Sequence, residues 1–180
     1  MSQLDYATLP IGQHAPRLVN AVVEIPLGSV NKYEYDKKLR VFRLDRTLHS
    51  PVHYPGDYGF IPGTLASDGD PLDVLVLVDA ASFPGCVMEV RPIGLLRMVD
   101  QGQKDSKVLA VTSSDPTYAE VKNFEGVYTH ILKEIEHFFT IYKSLEGKRV
   151  QTMGWETAGE AHKVIENCRK RYDENKSGTD

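Results

Sequence analysis

Hydrophobic and polar residues alternate in short runs along the first two thirds of the chain, a pattern that predicts β-strands. A mainly apolar stretch extends from Val19 to Ile25. Residues 33–36 and 39–44 alternate on either side of a Lys37-Lys38 pair, which predicts a β-hairpin. Short, mainly apolar runs between turns predict further strands at residues 74–78, 87–90, 93–99 and 108–111.

The segment from Pro55 to Gly63 is rich in Gly and Pro, and this composition predicts an ordered, non-helical excursion. After Pro116 the apolar spacing becomes helical, and it predicts one helix from about Val127 to near Gly147. A second helix is predicted from about Thr157 to Arg171.

Many short strands separated by turns are typical of a β-barrel. We therefore predict an α+β, mainly β fold: a closed or nearly closed five-stranded, OB-like β-barrel with peripheral strands and two C-terminal helices. The 180 residues suffice for one domain, 1–180, with an N-terminal segment at 1–15 and a frayed tail at 175–180.

Composition limits the classes of partner. The formal net charge of −4 argues against a nucleic-acid partner, which would require a basic surface. The N-terminus lacks the basic and apolar regions of a secretory signal, and the apolar run Val74–Val78 is too short to span a bilayer. The two cysteines, Cys86 and Cys168, are interpreted as reduced and structural, which favours a cytoplasmic location.

Three carboxylates lie within six residues directly before a predicted buried strand. Asp68, Asp70 and Asp73 occupy offsets 0, 2 and 5 of a loop shaped by Gly69 and Pro71. Carboxylate oxygens suit hard divalent cations such as Mg²⁺, and cations would relieve the mutual repulsion of the loop. A solvated acidic turn is the alternative interpretation of this loop taken alone.

Other polar residues occur at the ends of predicted strands and helices, and each one alone could be an ordinary surface residue. Taken together, carboxylates that hold cations and Arg, Lys and Tyr side chains that bind phosphate oxygens predict a metal-and-phosphate site. These residues are Glu24, Lys32, Glu34, Arg46, Tyr54, Tyr58, the second acidic loop from Asp100 to Lys107, Tyr142 and Lys143.

Two segments carry a resemblance to a known family. Residues 68–74 read D-G-D-P-L-D-V, and residues 54–62 read Y-P-G-D-Y-G-F-I-P. Both resemble the signatures of the soluble inorganic pyrophosphatases of the barrel type (family I), and the resemblance extends from about Val23 to Trp155. It implies hydrolysis of pyrophosphate to two phosphates by direct attack of metal-activated water.

The resemblance also implies roles for the acidic residues. Asp68, Asp73 and Asp105 resemble the ligands of the tightest Mg²⁺ site, and Asp73 would be shared with a second ion. Asp70 resembles the catalytic base, with Tyr58 supporting the acidic cluster. Further ions, which arrive with the substrate, would be held by Asp100 and Glu34, with Glu24 in the outer shell of ligands.

The resemblance implies that pyrophosphate and phosphate are bound by five donors: Lys32, Arg46, Lys107, Tyr142 and Lys143. It implies several Mg²⁺ ions per subunit, with Mn²⁺ or Zn²⁺ as substitutes, and a homo-oligomer, with a hexamer favoured. The second acidic loop departs from the common family form at Gln101, Gln103 and Lys104, where relatives often carry more acidic residues. The loop is therefore less negative than the family form, which would change the affinity of the weaker ions.

Two alternatives belong to other classes of protein. A calcium-binding EF-hand requires an oxygen-bearing residue and then Gly where this loop has Leu72 and Asp73. A nucleic-acid-binding barrel could use aromatic residues as stacking surfaces, although the acidic loops would repel a phosphate backbone. The aromatic residues in question are Tyr33, Tyr35, Phe42, Tyr54 and Tyr58.

Overall fold

The computed structural model describes residues 4–177. Within these residues the chain forms eight strands and two α-helices, α1 (Thr129–Ile141) and α2 (Ala158–Ser177). The strands are β1 (Val19–Ile25), β2 (Asn31–Asp36), β3 (Val41–Thr47), β4 (Asp57–Ile61), β5 (Leu72–Leu77), β6 (Val87–Asp100), β7 (Gln103–Thr112) and β8 (Val150–Thr157).

Five of the strands described between residues 4 and 177 close into a ring. The hydrogen-bonded order is β1-β4-β5-β7-β6, and β6 also pairs with β1, from Val19 opposite Val90 to Val22 opposite Val87. The pair β5–β7 is parallel and the other pairs of the ring are antiparallel. A closed ring leaves no long unpaired edge, and this arrangement confirms the predicted mainly β fold.

Strands β2 and β3 form the predicted hairpin, which is a two-stranded sheet separate from the ring. An aromatic cluster attaches the hairpin to the body of the protein. Tyr35 and Phe42 of the hairpin pack with Tyr6 of the N-terminal segment and with Phe60 of β4. The hairpin therefore extends beside the ring, with its polar residues available to line a site.

Strand β4 corrects the prediction for residues 55–63, because the non-helical excursion proves to be a central, fully buried strand of the ring. Gly59 makes this possible, since a Cβ at this position would lie 1.9 Å from the carbonyl oxygen of Val22 in β1. The Gly-rich segment therefore allows close strand pairing.

Other boundaries also differ from the prediction. The two strands predicted around Pro92 are one continuous strand, β6, and β8 has no predicted counterpart because its sequence is largely polar. Helix α1 ends at Ile141, and a 3₁₀ turn at Ser144–Glu146 follows it. Helix α2 continues to Ser177, so the predicted frayed tail is helical as far as residue 177, and residues 178–180 lie outside the described residues.

The apolar core has two large clusters. Along β5 and β7, neighbouring residues belong to different clusters. Leu75 and Leu109 belong to the cluster that contains Ile135 and the aromatic residues of α1. Their neighbours Val74 and Ala110 belong to the cluster that contains Ile165 of α2. This alternation follows from the two-residue period of a strand, and it places a helix against each cluster.

Within residues 4–177, neither helix combines the length and the apolar character needed to cross a membrane. Cys86 is half-buried and Cys168 is buried, and within residues 4–177 neither forms a disulfide.

Candidate active site

A cavity of about 350 Å³ lies where the hairpin meets the ring. It brings together twelve of the thirteen side chains to which the family resemblance gives a role, and these come from segments spread over 120 residues of sequence. They are Glu24, Lys32, Glu34, Tyr58, Asp68, Asp70, Asp73, Asp100, Asp105, Lys107, Tyr142 and Lys143. Arg46 does not line the cavity, but it lies opposite the cavity residue Lys32 in the hairpin.

The first acidic loop is shaped by its own turn chemistry. Asp68 Oδ1 accepts a hydrogen bond from the amide of Asp70 at 3.0 Å, and Gly69 adopts a φ of +90° that side chains disfavour. The loop leads into β5, where Leu72 and Val74 are buried and the intervening Asp73 lies among the cavity residues. The alternation of β5 therefore presents one carboxylate to the cavity.

Lys107 lies between two of these carboxylates. Its Nζ donates to Asp105 Oδ1 at 2.8 Å and also to Asp73 Oδ2, and its side chain is only 6% exposed. Burial opposes the charge, but the two carboxylates outweigh burial and raise the pKa of Lys107 above its usual value. Tyr58 lies next to this group, and burial, together with Asp73 and Asp105, raises the pKa of its hydroxyl well above the usual value.

A second ion pair forms where α1 ends. Lys143 donates to Asp100 Oδ2, and its Nζ lies 5.1 Å from the centroid of the Tyr142 ring. Burial raises the pKa of Tyr142, although Lys107 and Lys143 oppose the rise. Asp100 Oδ1 is buried and has no hydrogen-bond partner within residues 4–177. An unpaired carboxylate oxygen is an acceptor left free for a ligand.

The hairpin supplies the opposite wall of the cavity. Lys32 pairs with Glu34 and with Asp45, and Lys37 Nζ donates to Asp70 Oδ1 at 2.9 Å. Lys32, Glu34 and Lys37 line the cavity, and the register of β2 and β3 places Lys32 opposite Arg46.

Glu24 is the acidic residue most affected by its surroundings. It belongs to β1, and its Oε1 accepts a hydrogen bond from the amide of Tyr35 at 2.8 Å. Burial raises the pKa of Glu24 to about 8, and the charge of Asp73 adds to the rise. Glu24 is therefore largely protonated at neutral pH when no cation is bound nearby.

The donor chemistry of the cavity fits divalent cations. Seven carboxylates and four lysines line it in the described part of the chain, which leaves an excess of three negative charges when all are ionised. No three acidic, His or Cys side chains within residues 4–177 converge closely enough to form a ready-made metal centre. Lys107 pairs with Asp73 and Asp105, and Lys143 pairs with Asp100. A cation would therefore exchange with the lysines for carboxylate oxygens.

Sequence reasoning missed three charged residues that belong to this network, namely Lys37, Asp45 and Glu146. Lys37 carried a weak signal, because the hairpin turn places it at the end of a strand whose other polar residues are in the site. Glu146 carried none, since it is a single acidic residue in a polar turn.

The three departures in the second acidic loop lie outside the cavity. Gln101 and Gly102 both have positive φ, 50° and 83°, and form the turn between β6 and β7. Gln101, Gln103 and Lys104 are exposed and are not among the lining residues. The acidic residues that do line the cavity, Asp100 and Asp105, flank this turn.

Three of the five aromatic residues considered as a stacking surface are buried and unsuited to that role. Tyr35, Tyr54 and Tyr58 are 8%, 1% and 8% exposed, and Tyr54 packs against Phe138 of α1. Bases stack on accessible rings, so this arrangement does not favour a nucleic-acid-binding surface.

Residues 21–173 of the chain match the sequence model of the inorganic pyrophosphatase family. The chain belongs to the inorganic pyrophosphatase family. Family membership implies a metal cofactor, in keeping with the carboxylate oxygens that line the cavity.

Individual members of the inorganic pyrophosphatase family are similar along nearly their whole length. The inorganic pyrophosphatase of Geobacillus stearothermophilus is 50% identical over 160 residues, which are 89% of this chain and 97% of that protein. The inorganic pyrophosphatase of Haloferax volcanii is 50% identical over 165 residues, 91% of this chain and 93% of that protein. The crystal structure of the Thermus thermophilus inorganic pyrophosphatase superposes with a TM-score of 0.92 at 44% identity, covering 94% and 99% of the two chains.

Proposed function

We propose that this chain hydrolyses inorganic pyrophosphate to two phosphates. The observation that carries the proposal is the cavity at the edge of the ring, where seven carboxylates and four lysines from distant segments meet in a chain of the inorganic pyrophosphatase family. Such a site can bind cations and phosphate oxygens at the same time.

Charge neutralisation is the main requirement of the reaction, because pyrophosphate repels a hydroxide nucleophile. Lys32, Lys107 and Lys143 would release their carboxylate partners and donate to phosphate oxygens, with Tyr142 as a neutral donor. Arg46 would donate from the hairpin beside Lys32. These donors orient the substrate and stabilise the phosphate that leaves.

The cations that fit the site are Mg²⁺ ions, since all the acidic ligands offer hard oxygen atoms, and Mn²⁺ or Zn²⁺ would act as substitutes. We assign Asp68, Asp73 and Asp105 to the tightest ion, Asp100 and Glu34 to further ions, and Glu24 to the outer shell. When bound, Mg²⁺ supplies positive charge against the phosphate oxygens and lowers the pKa of water.

Asp70 is the proposed general base. It is one of the cavity residues, its side chain is 72% exposed, and within residues 4–177 only its Oδ1 is paired, with Lys37. Oδ2 is therefore available to accept the proton of the attacking water. Tyr58, kept protonated by burial, would donate to the acidic cluster and hold it in place.

Assembly and location follow from the family resemblance and from the state of the cysteines. We infer a homo-oligomer, with a hexamer favoured, and a cytoplasmic location, where the free thiols of Cys86 and Cys168 would remain reduced. Sedimentation of the purified chain tests the assembly.

The test of the function is phosphate release from pyrophosphate in Mg²⁺, after chelation, and after Mg²⁺ is restored. Activity should be lost on chelation and return with the metal. Asp70→Asn, which removes the proposed base, should lose activity. Asp173→Asn, which changes an exposed carboxylate on α2, is its matched control and should retain activity. Absence of phosphate release by the native chain in Mg²⁺ would refute the proposed function.

A further inference from the structure

An ion pair between Arg46 and Glu146 joins two parts of the chain that are 100 residues apart. Arg46 Nε donates to Glu146 Oε1 at 2.9 Å, and only 7% of the Glu146 side chain is exposed. Arg46 belongs to strand β3 of the hairpin, whereas Glu146 ends the 3₁₀ turn that follows α1. The pair therefore links the separate hairpin sheet to the body of the protein.

A neighbouring contact strengthens this link. Ser50, which follows β3, donates from its hydroxyl to the carbonyl oxygen of Ile141 at 2.9 Å. The end of β3 is thus attached to the corner after α1 at two points, and movement of Arg46 relative to that corner is restricted.

The guanidinium of Arg46 is held on two sides and free on the third. Nε is bound to Glu146, and Nη1 donates to Asp45 Oδ2. Nη2 is buried and has no hydrogen-bond partner within residues 4–177. A buried donor without an acceptor costs free energy unless a ligand supplies that acceptor.

Arg46 does not itself line the cavity, but its neighbours indicate which ligand would complete the free donor. Arg46 lies opposite Lys32, a cavity residue, and Asp45 Oδ2 lies 3.3 Å from Lys32 Nζ. On the other side, Glu146 follows three residues after Lys143, which also lines the cavity. The ion pair therefore lies next to two lysines that line the cavity, Lys32 and Lys143.

We propose that Glu146 is a positioning residue, which holds the guanidinium of Arg46 so that Nη2 donates to a phosphate oxygen of the substrate. The inference rests on the proposed function. A guanidinium already held by Glu146 and Asp45 loses little conformational freedom when it binds the substrate, so the pair increases substrate affinity without contacting the substrate itself.

The test compares Glu146→Gln with the native chain in the hydrolysis of pyrophosphate with Mg²⁺. Because Arg46 would bind phosphate oxygens in the bound substrate as well as during the reaction, KM should rise about 10-fold with little change in kcat. The inhibition constant of inorganic phosphate should rise by a similar factor. Glu160→Gln, which removes an exposed ion pair with Lys163 on α2, is the matched control and should change neither constant.

A double variant separates positioning from a general structural role. If Glu146 acts through Arg46, adding Glu146→Gln to Arg46→Gln should leave KM at the value of Arg46→Gln alone. An unchanged KM in Glu146→Gln, or effects that multiply in the double variant, would overturn the inference. A native chain that releases no phosphate would instead refute the proposed function, and the inference with it.

Thermal unfolding of each variant shows whether it is folded at the assay temperature. If Glu146→Gln is not, Glu146→Asp provides the test, because it keeps the charge and shortens the side chain by one methylene. The retracted carboxylate should still raise KM, and an unchanged KM in folded Glu146→Asp would equally overturn the inference.

Discussion

Lys107→Met should destabilise the metal-free protein and increase the stabilisation that Mg²⁺ provides. The ammonium of Lys107 lies 2.8 Å from Asp105 Oδ1 and also donates to Asp73, while methionine keeps most of the side-chain volume. Without the ammonium, two neighbouring carboxylates have lost their shared counter-ion. The substitution therefore removes charge pairing and changes packing little.

The magnitude follows from burial. Removing one partner of a fully buried ion pair costs about 3–5 kcal/mol, whereas exposed pairs contribute about 0–1 kcal/mol. Lys107 is 6% exposed, but Asp73 and Asp105 are 30% and 23% exposed, so water screens part of the effect. We expect a loss of about 2 kcal/mol, which for a chain of this length lowers Tm by about 4–8 °C.

The assay is denaturant unfolding in chelator and in saturating Mg²⁺. In the native chain a cation must displace Lys107 from the two carboxylates, whereas in the variant their oxygens are already free. If the variant binds Mg²⁺ ten times more tightly, saturating Mg²⁺ stabilises it by about 1.4 kcal/mol more than the native chain. Turnover should nevertheless fall, because a phosphate-binding group is lost.

The control for this experiment is Lys163→Met, which removes an exposed lysine paired with Glu160 and should leave stability unchanged with and without metal. Equal stability of native and Lys107→Met chains in chelator, or equal stabilisation of both by Mg²⁺, would contradict the reasoning.

Three further predictions concern single residues. Asp70→Asn should reduce kcat by about 10²–10⁴-fold without changing Tm, and steady-state turnover near the native value would remove Asp70 from its role as base. Lys32→Ala should raise KM and lower kcat. If both constants are unchanged, Lys32 is an ordinary surface residue that does not bind the substrate. Gly59→Ala should lower the free energy of unfolding by about 3 kcal/mol, measured with denaturant, because its Cβ would lie 1.9 Å from the backbone oxygen of Val22. Native-like stability would show that β1 can move aside.

The strands with clear alternation and the two helices were predictable because their apolar periods match those of regular structure. The hairpin at β2–β3 is an example of alternation. The buried strand after Asp73 was predictable because it is a continuous apolar run. Strand β4 was missed because its Gly and aromatic residues resemble a turn when read locally. Strand β8 was missed because it is a polar strand at the edge of the sheet, paired only with β6 in the described structure.

The candidate site was predictable to a similar extent. Asp68, Asp70 and Asp73 lie within six residues, so their proximity is local information. Asp100, Lys143 and Lys32 are distant in sequence. Their residue types made them candidates for a metal-and-phosphate site, and the resemblance to the family implied their individual roles. The partners that restrain them, such as Glu146 for Arg46, are set by side-chain contacts between remote segments, and these leave no pattern along the chain.

The sequence by itself determined the mainly β character, the two C-terminal helices and the acidic loop, since each depends on residues that are near one another in the chain. The tertiary structure decided that β6 pairs with β1 to close the ring and which lysine neutralises which carboxylate. It also decided that Arg46 lies opposite the cavity residue Lys32 with one buried donor that has no partner in the described part of the chain. These features depend on strand register and on distances between segments up to 100 residues apart, and residue types alone do not specify such distances.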